Sequence, residues 1–130
     1  MLQGKIDTHL HFSPKLYVGA VGSDLLNAAM PNGVVPIWSE EAVIAMMDES
    51  GVVEGILSFS AGPEIPEAAV LLRRCNDHAA EIRSYKKRFG SFASLLLPDV
   101  DAALKEVSDC LAELNVDGFV VFTNSSGKYL

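Results

Sequence analysis

The chain has 130 residues, 49% of them hydrophobic and 21% charged, with a formal net charge of −7. That length fits one domain with a real core, and the apolar content excludes a disordered chain. The acidic balance argues against nucleic acid or an anionic membrane as partner, no apolar run approaches the roughly 18 residues of a membrane span, and no charged-then-apolar leader opens the chain.

The first strand is expected over Lys5–His9, inside the stretch Ile6-Asp7-Thr8-His9-Leu10-His11-Phe12. Side chains at i and i+2 of a strand share a side, so His9 and His11 can converge on one metal ion. Neutral imidazole suits zinc and other first-row divalent ions, although an isolated H-x-H also fits two ordinary polar strand residues. Asp7 is expected to face away from the pair and is not counted as a ligand. A long connection rich in proline and glycine runs from Phe12 to Trp38, with room for a short helix within Leu16–Met30. Ser39 is a good N-cap for the next helix, with Glu40 and Glu41 in its first turn and Val43, Met46 and Met47 on its apolar face. Gly51 ends it.

The second strand is expected over Val53–Ser60, stopped by Ala61-Gly62-Pro63. Pro66 opens a long helix running towards Phe89-Gly90. Its Arg73, Arg74, Arg83, Lys86, Lys87 and Arg88 read as a solvated face shared with Glu67, Asp77 and Glu81, and His78 as a surface residue. The third strand is expected over Phe92–Leu97, closed by Pro98. Asp99 or Asp101 caps a third helix with Leu104, Val107, Leu111 and Leu114 at helical spacing. The fourth strand is expected over Val116–Thr123. Cys75 and Cys110 form no CxxC pair and read as packing thiols in a reducing cytoplasm.

Four near-continuous apolar strands alternating with helices imply an α/β fold with a parallel sheet buried on both faces. Either a small open sheet or part of a (β/α)8 barrel satisfies that pattern, and in both the chemistry collects at the carboxyl ends of the strands. His9, His11, Phe12, Ser58, Ser60, Pro98, Thr123 and Asn124 fall there. Tyr17 and Trp38, in or beside the long first connection, are candidate substrate-binding residues, with packing beneath that connection as the alternative. Ser60 and Asn124 are candidates too, with local turn bonding as theirs. No glycine-rich phosphate loop follows the first strand, which argues against a nucleotide site.

IDTHLHFSP resembles the opening of the amidohydrolase superfamily, whose first strand carries an H-x-H metal pair. Trp38 ahead of a helix ending Met47-Asp48-Glu49-Ser50-Gly51-Val52, then LSFSAGP (Leu57 to Pro63), RCND (Arg74 to Asp77), RFGSFASLLLPDVDAAL (Arg88 to Leu104) and DGFVVFTNSSGKYL (Asp117 to Leu130), narrow the resemblance to one branch. They are similar to the amidohydrolase-related decarboxylases, the group of aminocarboxymuconate-semialdehyde decarboxylase and of the salicylate- and resorcylate-type decarboxylases, with 6-methylsalicylate decarboxylases the nearest. The resemblance covers essentially the whole chain. It implies parallel βα units forming the first half of a TIM (β/α)8 barrel, with four strands and about three main helices, as one partial domain over residues 1–130.

The resemblance further implies a divalent metal ion, zinc in the first instance, with His9 and His11 as first-strand ligands. It implies a small aromatic or enol-type carboxylic acid as substrate, decarboxylated at the metal. The remaining ligands of the family and its catalytic acid have no counterpart in these residues, and a full barrel needs about 250 residues. The chain alone is therefore expected to be inactive, with open half-barrel edges that favour a homo-oligomer. A metal-dependent hydrolase on the same fold and a non-enzymatic α/β binding module are the alternative readings.

Overall fold

Two kinds of local signal build the molecule: short apolar runs that form strands, and capped amphipathic runs that cover one side of them. The computed structural model describes residues 4–29, 31–35, 37–59, 65, 67–85 and 87–129. Strands β1 (Lys5–His11), β2 (Val52–Ser58), β3 (Phe89–Ser94) and β4 (Gly118–Val120) form one parallel sheet in the order β1-β2-β3-β4. A sequential parallel order is that of the first strands of a (β/α)8 barrel. A doubly wound open sheet instead reverses its order at a switch point. The order thus decides between the two folds that the pattern of elements left open.

Between β1 and β2 lie α1 (Lys15–Val21), α2 (Ser23–Ala29) and α3 (Glu40–Ser50). The single helix expected over Leu16–Met30 is broken at Gly22, whose φ of 89° no helix tolerates. Met30 itself lies outside the described residues. Helix α3 starts where Ser39 Oγ accepts the Ala42 N–H (3.2 Å) and stops at Gly51, left-handed with φ 67°. Of its expected apolar face, Met47 is fully buried and Val43 half-buried, whereas Met46 is exposed.

Helix α4 (Ala68–Tyr85) buries Ala68, Leu71, Leu72, Cys75, Ala79 and Ile82, one stripe at helical spacing. That stripe joins Leu10, Phe12, Met47, Leu57, Phe59 and Phe89 in one continuous core between sheet and helices. The helix ends at Tyr85, and Phe89-Gly90, expected to close it, instead open β3. Gly90 is required there: a Cβ would meet Ile56 Cδ1 at 2.5 Å and Asp117 Oδ2 at 2.8 Å. The third strand therefore runs three residues earlier than its sequence pattern suggested. Pro66 and the Ala61-Gly62-Pro63 turn lie outside the described residues.

Helix α5 (Val100–Asp109) is capped by Asp99, whose carboxylate accepts the Ala102 N–H (3.0 Å), and it widens into a π-type turn over Cys110–Leu114. Of the expected stripe, Val107 and Leu114 are half-buried, and the other two residues do not face the core. Leu104 and Leu111 are 63% and 59% exposed, while Ala103 and Cys110 are buried. Polar pairing selects that face. Buried Asn76 of α4 accepts the Ser94 N–H (2.9 Å) and donates to the Ser94 carbonyl (3.1 Å) and to Glu106 (2.7 Å). Arg73 reaches Asp77, Asp109 and Glu113. Together they dock α5 on α4 by the side that carries Glu106 and Cys110.

Arg73, Arg83 and Arg88 are accordingly structural, whereas Arg74 and Lys87 are exposed as a solvated face requires. Arg88 Nε and Nη2 donate to the carbonyls of Val53 (2.8 Å) and Val52 (2.7 Å), and its Nη1 to Asp48 (2.8 Å). Arg83 forks onto Asp117 with two bonds of 3.0 Å, and Asp117 also accepts the Ser91 N–H (2.9 Å). His78 is half-buried, its ring 5.7 Å from that of Phe12.

After β4, which is shorter than the expected Val116–Thr123, a small antiparallel hairpin pairs β5 (Asn124–Ser125) with β6 (Lys128–Tyr129). Ser126 and Gly127 both have positive φ, the two-residue turn that matches strand twist. Ser125 Oγ ties the hairpin to the Leu97 carbonyl (2.7 Å). No helix among the described residues is long and apolar enough to cross a membrane.

Removing the Arg88 fork leaves two β2 carbonyls and Asp48 without their donor, so Arg88→Ala is expected to cost about 1–2 kcal/mol. The exposed neighbour Lys87→Ala is expected to stay within about 0.5 kcal/mol of wild type; urea midpoints compare the two. Burial pushes both thiols up to about 12, helped at Cys110 by Glu106. At about pH 8 a disulfide reagent should therefore label neither cysteine in the folded chain and both after unfolding. Because the native state holds these protons more tightly, their contribution to stability is complete below the ordinary thiol value of 9.0 and falls as pH rises towards about 12.

Candidate metal centre

Strand β1 divides its side chains between two environments. Leu10 and Phe12, 7% and 2% exposed, enter the core. Leu10 can do so because Gly55 has no side chain: a Cβ there would lie 2.6 Å from Leu10 Cδ2 and 3.3 Å from Met47 Sδ. His9 and His11 take the opposite side and are exposed, with ring centroids 4.7 Å apart and ring planes at 88°. Both line a cavity of about 660 Å³ at the carboxyl end of the strand. Ser58 Oγ closes the neighbouring end of β2 by donating to the Leu10 carbonyl (3.3 Å), and Ser58 stands opposite His11 in register.

The walls of the cavity are mainly apolar and aromatic. Tyr17 lines it, edge-on to Phe59 at 4.6 Å, and Trp38 lines it, edge-on to Phe12 at 4.9 Å. Burial, and after it Cys75, raises the Tyr17 phenol above its ordinary value, so the group is a neutral donor at physiological pH. The Trp38 indole N–H is buried and has no acceptor among the described residues. Closed off in this way, Trp38 offers the cavity a ring surface rather than a hydrogen bond.

Asp7 adjoins the same cavity, as do Leu10 and Phe12 of the core face. Its Oδ1 accepts the His9 backbone N–H (2.9 Å). Met46 and Ile37 also line the cavity, and Ile37 is 91% exposed.

Asn124 sits elsewhere. It is exposed on β5, where its Oδ1 accepts the Gly127 N–H (3.2 Å) and closes the hairpin turn, and it is not among the residues lining the cavity. Ser60 lies outside the described residues. Two imidazoles lining one cavity fit a divalent ion in donor chemistry, and two donors fall short of the three protein ligands of a catalytic site. Among the described residues no group of three His, Cys, Asp or Glu side chains stands close enough to hold a metal ion.

No protein-family model matches the chain. Among characterised proteins it is 37% identical over 137 residues to decarboxylase yanB of Aspergillus niger, covering 95% of this chain and 36% of that protein. It is 36% identical to a 6-methylsalicylic acid decarboxylase of Penicillium expansum (92% and 38% covered) and 34% identical to a gamma-resorcylate decarboxylase of Rhodococcus jostii (92% and 39%). The chain thus spans under two-fifths of the length of these relatives. Among solved structures it superposes on an amidohydrolase II with TM-score 0.78 and 29% identity (97% and 42% covered). On 2,6-dihydroxybenzoate decarboxylase from Rhizobium the values are 0.70 and 29% (98% and 41%). On a dihydroxybenzoic acid decarboxylase from Polaromonas, solved with bound manganese and 2-nitroresorcinol, they are 0.66 and 26% (92% and 38%). The chain is therefore homologous to aromatic-acid decarboxylases of the amidohydrolase superfamily and forms the first half of their barrel fold.

Proposed function

We propose that this chain supplies the first-strand half of a divalent metal site for decarboxylation of a small phenolic or enol-type acid of the 6-methylsalicylate or resorcylate kind. The observation that carries the proposal is the His9–His11 pair, 4.7 Å between rings, facing a ring-sized cavity with aromatic walls. The substrates named for the relatives support the choice of acid. We assign zinc to the pair because neutral imidazoles suit it, and manganese, as bound in the Polaromonas relative, is the competing ion.

When bound, the ion supplies an orienting template and a Lewis acid for the carboxylate and its neighbouring oxygen. The rest is done by the chain's own residues. His9 and His11 hold two coordination positions. Tyr17, Trp38 and Phe59 take the face and edge of an aromatic ring and exclude water around it. The protonated Tyr17 hydroxyl donates a hydrogen bond and is no base at neutral pH. We assign no group on this chain to protonate the ring carbon, and a catalytic metal ordinarily has three protein ligands. Binding without turnover is therefore expected from these 130 residues alone. The free, buried thiols support a reducing, cytoplasmic setting.

Titration of the purified chain with zinc and with manganese, followed by calorimetry, tests the assignment. Uptake is expected to weaken by more than about tenfold in His9→Ala and in His11→Ala, since even outer partners of a metal contribute that much. Affinity for 2,6-dihydroxybenzoate is expected to rise when metal is present. A wild-type chain that takes up neither ion, or uptake untouched by both variants, overturns it.

The outer edges of β1 and β4, unpaired among the described residues, also lead us to propose self-association of the isolated chain. Sedimentation equilibrium should show a species heavier than 14.0 kDa, and a monomer overturns that proposal.

A further inference from the structure

The strand that carries the histidines does not run evenly beside its neighbour. The register slips twice in opposite senses: from Lys5↔Val52 to Ile6↔Glu54 one step of β1 faces two of β2, and from Asp7↔Gly55 to Leu10↔Leu57 three steps face two, so that Lys5 to Leu10 again matches Val52 to Leu57. Thr8 and His9 have no partner on β2. A local slip of this kind interrupts the ladder and bends the strand. Within this stretch Asp7 Oδ1 accepts the His9 N–H at 2.9 Å. The carboxylate thus supplies an acceptor to the backbone at the residue whose ring lines the cavity. Without it the amide must find water or return to regular register.

We infer that Asp7 is a positioning residue: its side chain holds the irregularity in β1 and through it aims His9 and His11 into the cavity. What the aimed pair holds rests on the metal reading above; the aiming itself does not. The role needs an acceptor oxygen in that place and no negative charge. Asp7→Asn therefore keeps it and Asp7→Ala loses it.

The test uses the full 130-residue chain, first without metal. Nuclear magnetic resonance should show a coupling across the hydrogen bond from the His9 amide nitrogen to the Asp7 carboxyl carbon, and a ring-to-ring contact between His9 and His11. In Asp7→Ala the His9 amide is expected to exchange about tenfold faster and the ring contact to be lost, while Asp7→Asn stays within about threefold of wild type. Zinc affinity should then fall about 10–100-fold in Asp7→Ala and hold in Asp7→Asn. Absence of the coupling in wild type overturns the inference, and that measurement stands even where Asp7→Ala does not fold. An unchanged His9 amide in Asp7→Ala, or an Asp7→Asn as impaired as Asp7→Ala, also overturns it. A wild-type chain that binds no zinc but shows the full amide pattern overturns the metal reading and supports the positioning role.

Discussion

The two-sidedness of β1 is the constraint on which the rest depends. Leu10 and Phe12 are drawn into the core by the apolar faces of α3 and α4. Side chains alternate along a strand, so the same packing that seats Leu10 over Gly55 turns His9 and His11 to the other face. Site geometry is therefore tied to core packing rather than to a loop. A shift of one residue along β1 would exchange the two sets of side chains and destroy both at once.

The remainder of the fold secures that strand indirectly. β1 is held by β2, and β2 by β3 and by Arg88, which gathers the Val52 and Val53 carbonyls and Asp48 at the amino end of β2. At the other end Ser94 Oγ donates to the Phe59 carbonyl and Asn76 pins the Ser94 backbone to α4. Apart from the exposed Asp48, these are buried or half-buried polar groups with satisfied partners, each costly to leave unmatched. They fix the sheet at both ends, including the carboxyl end where Phe59 meets the cavity. The cavity side is lined by rings and methyl groups that a flat aromatic ligand can replace as neighbours without loss of hydrogen bonds.

Where the reading of the sequence and the structure part, the reasons are specific. Phe89-Gly90 resembles a helix end because glycine commonly terminates helices. In fact Gly90 is needed where Ile56 and Asp117 crowd the start of β3. The run of arginines resembles a solvated face because spacing alone does not reveal carbonyls and carboxylates arriving from other elements. Leu104 and Leu111 have helical spacing, yet the Asn76–Glu106 bond and the Arg73 ion pairs turn a different side of α5 inward. Asn124 stands near a strand end in sequence but serves the turn of a hairpin that no apolar run announced.

Local chemistry in the sequence was enough to establish the alternation of strands and helices, the caps at Ser39, Gly51 and Asp99, the buried thiols and the histidine pair. Each of these depends on residues a few positions apart: period two for a strand, a side-chain oxygen three residues before an amide for a cap. Only the tertiary structure decided the sequential sheet order, the closure of Tyr17 and Trp38 over one cavity with the pair, and the place of Asp7 beside them. Those features depend on register between strands distant in sequence, and on an irregularity in that register, which arises only when β1 and β2 are laid side by side.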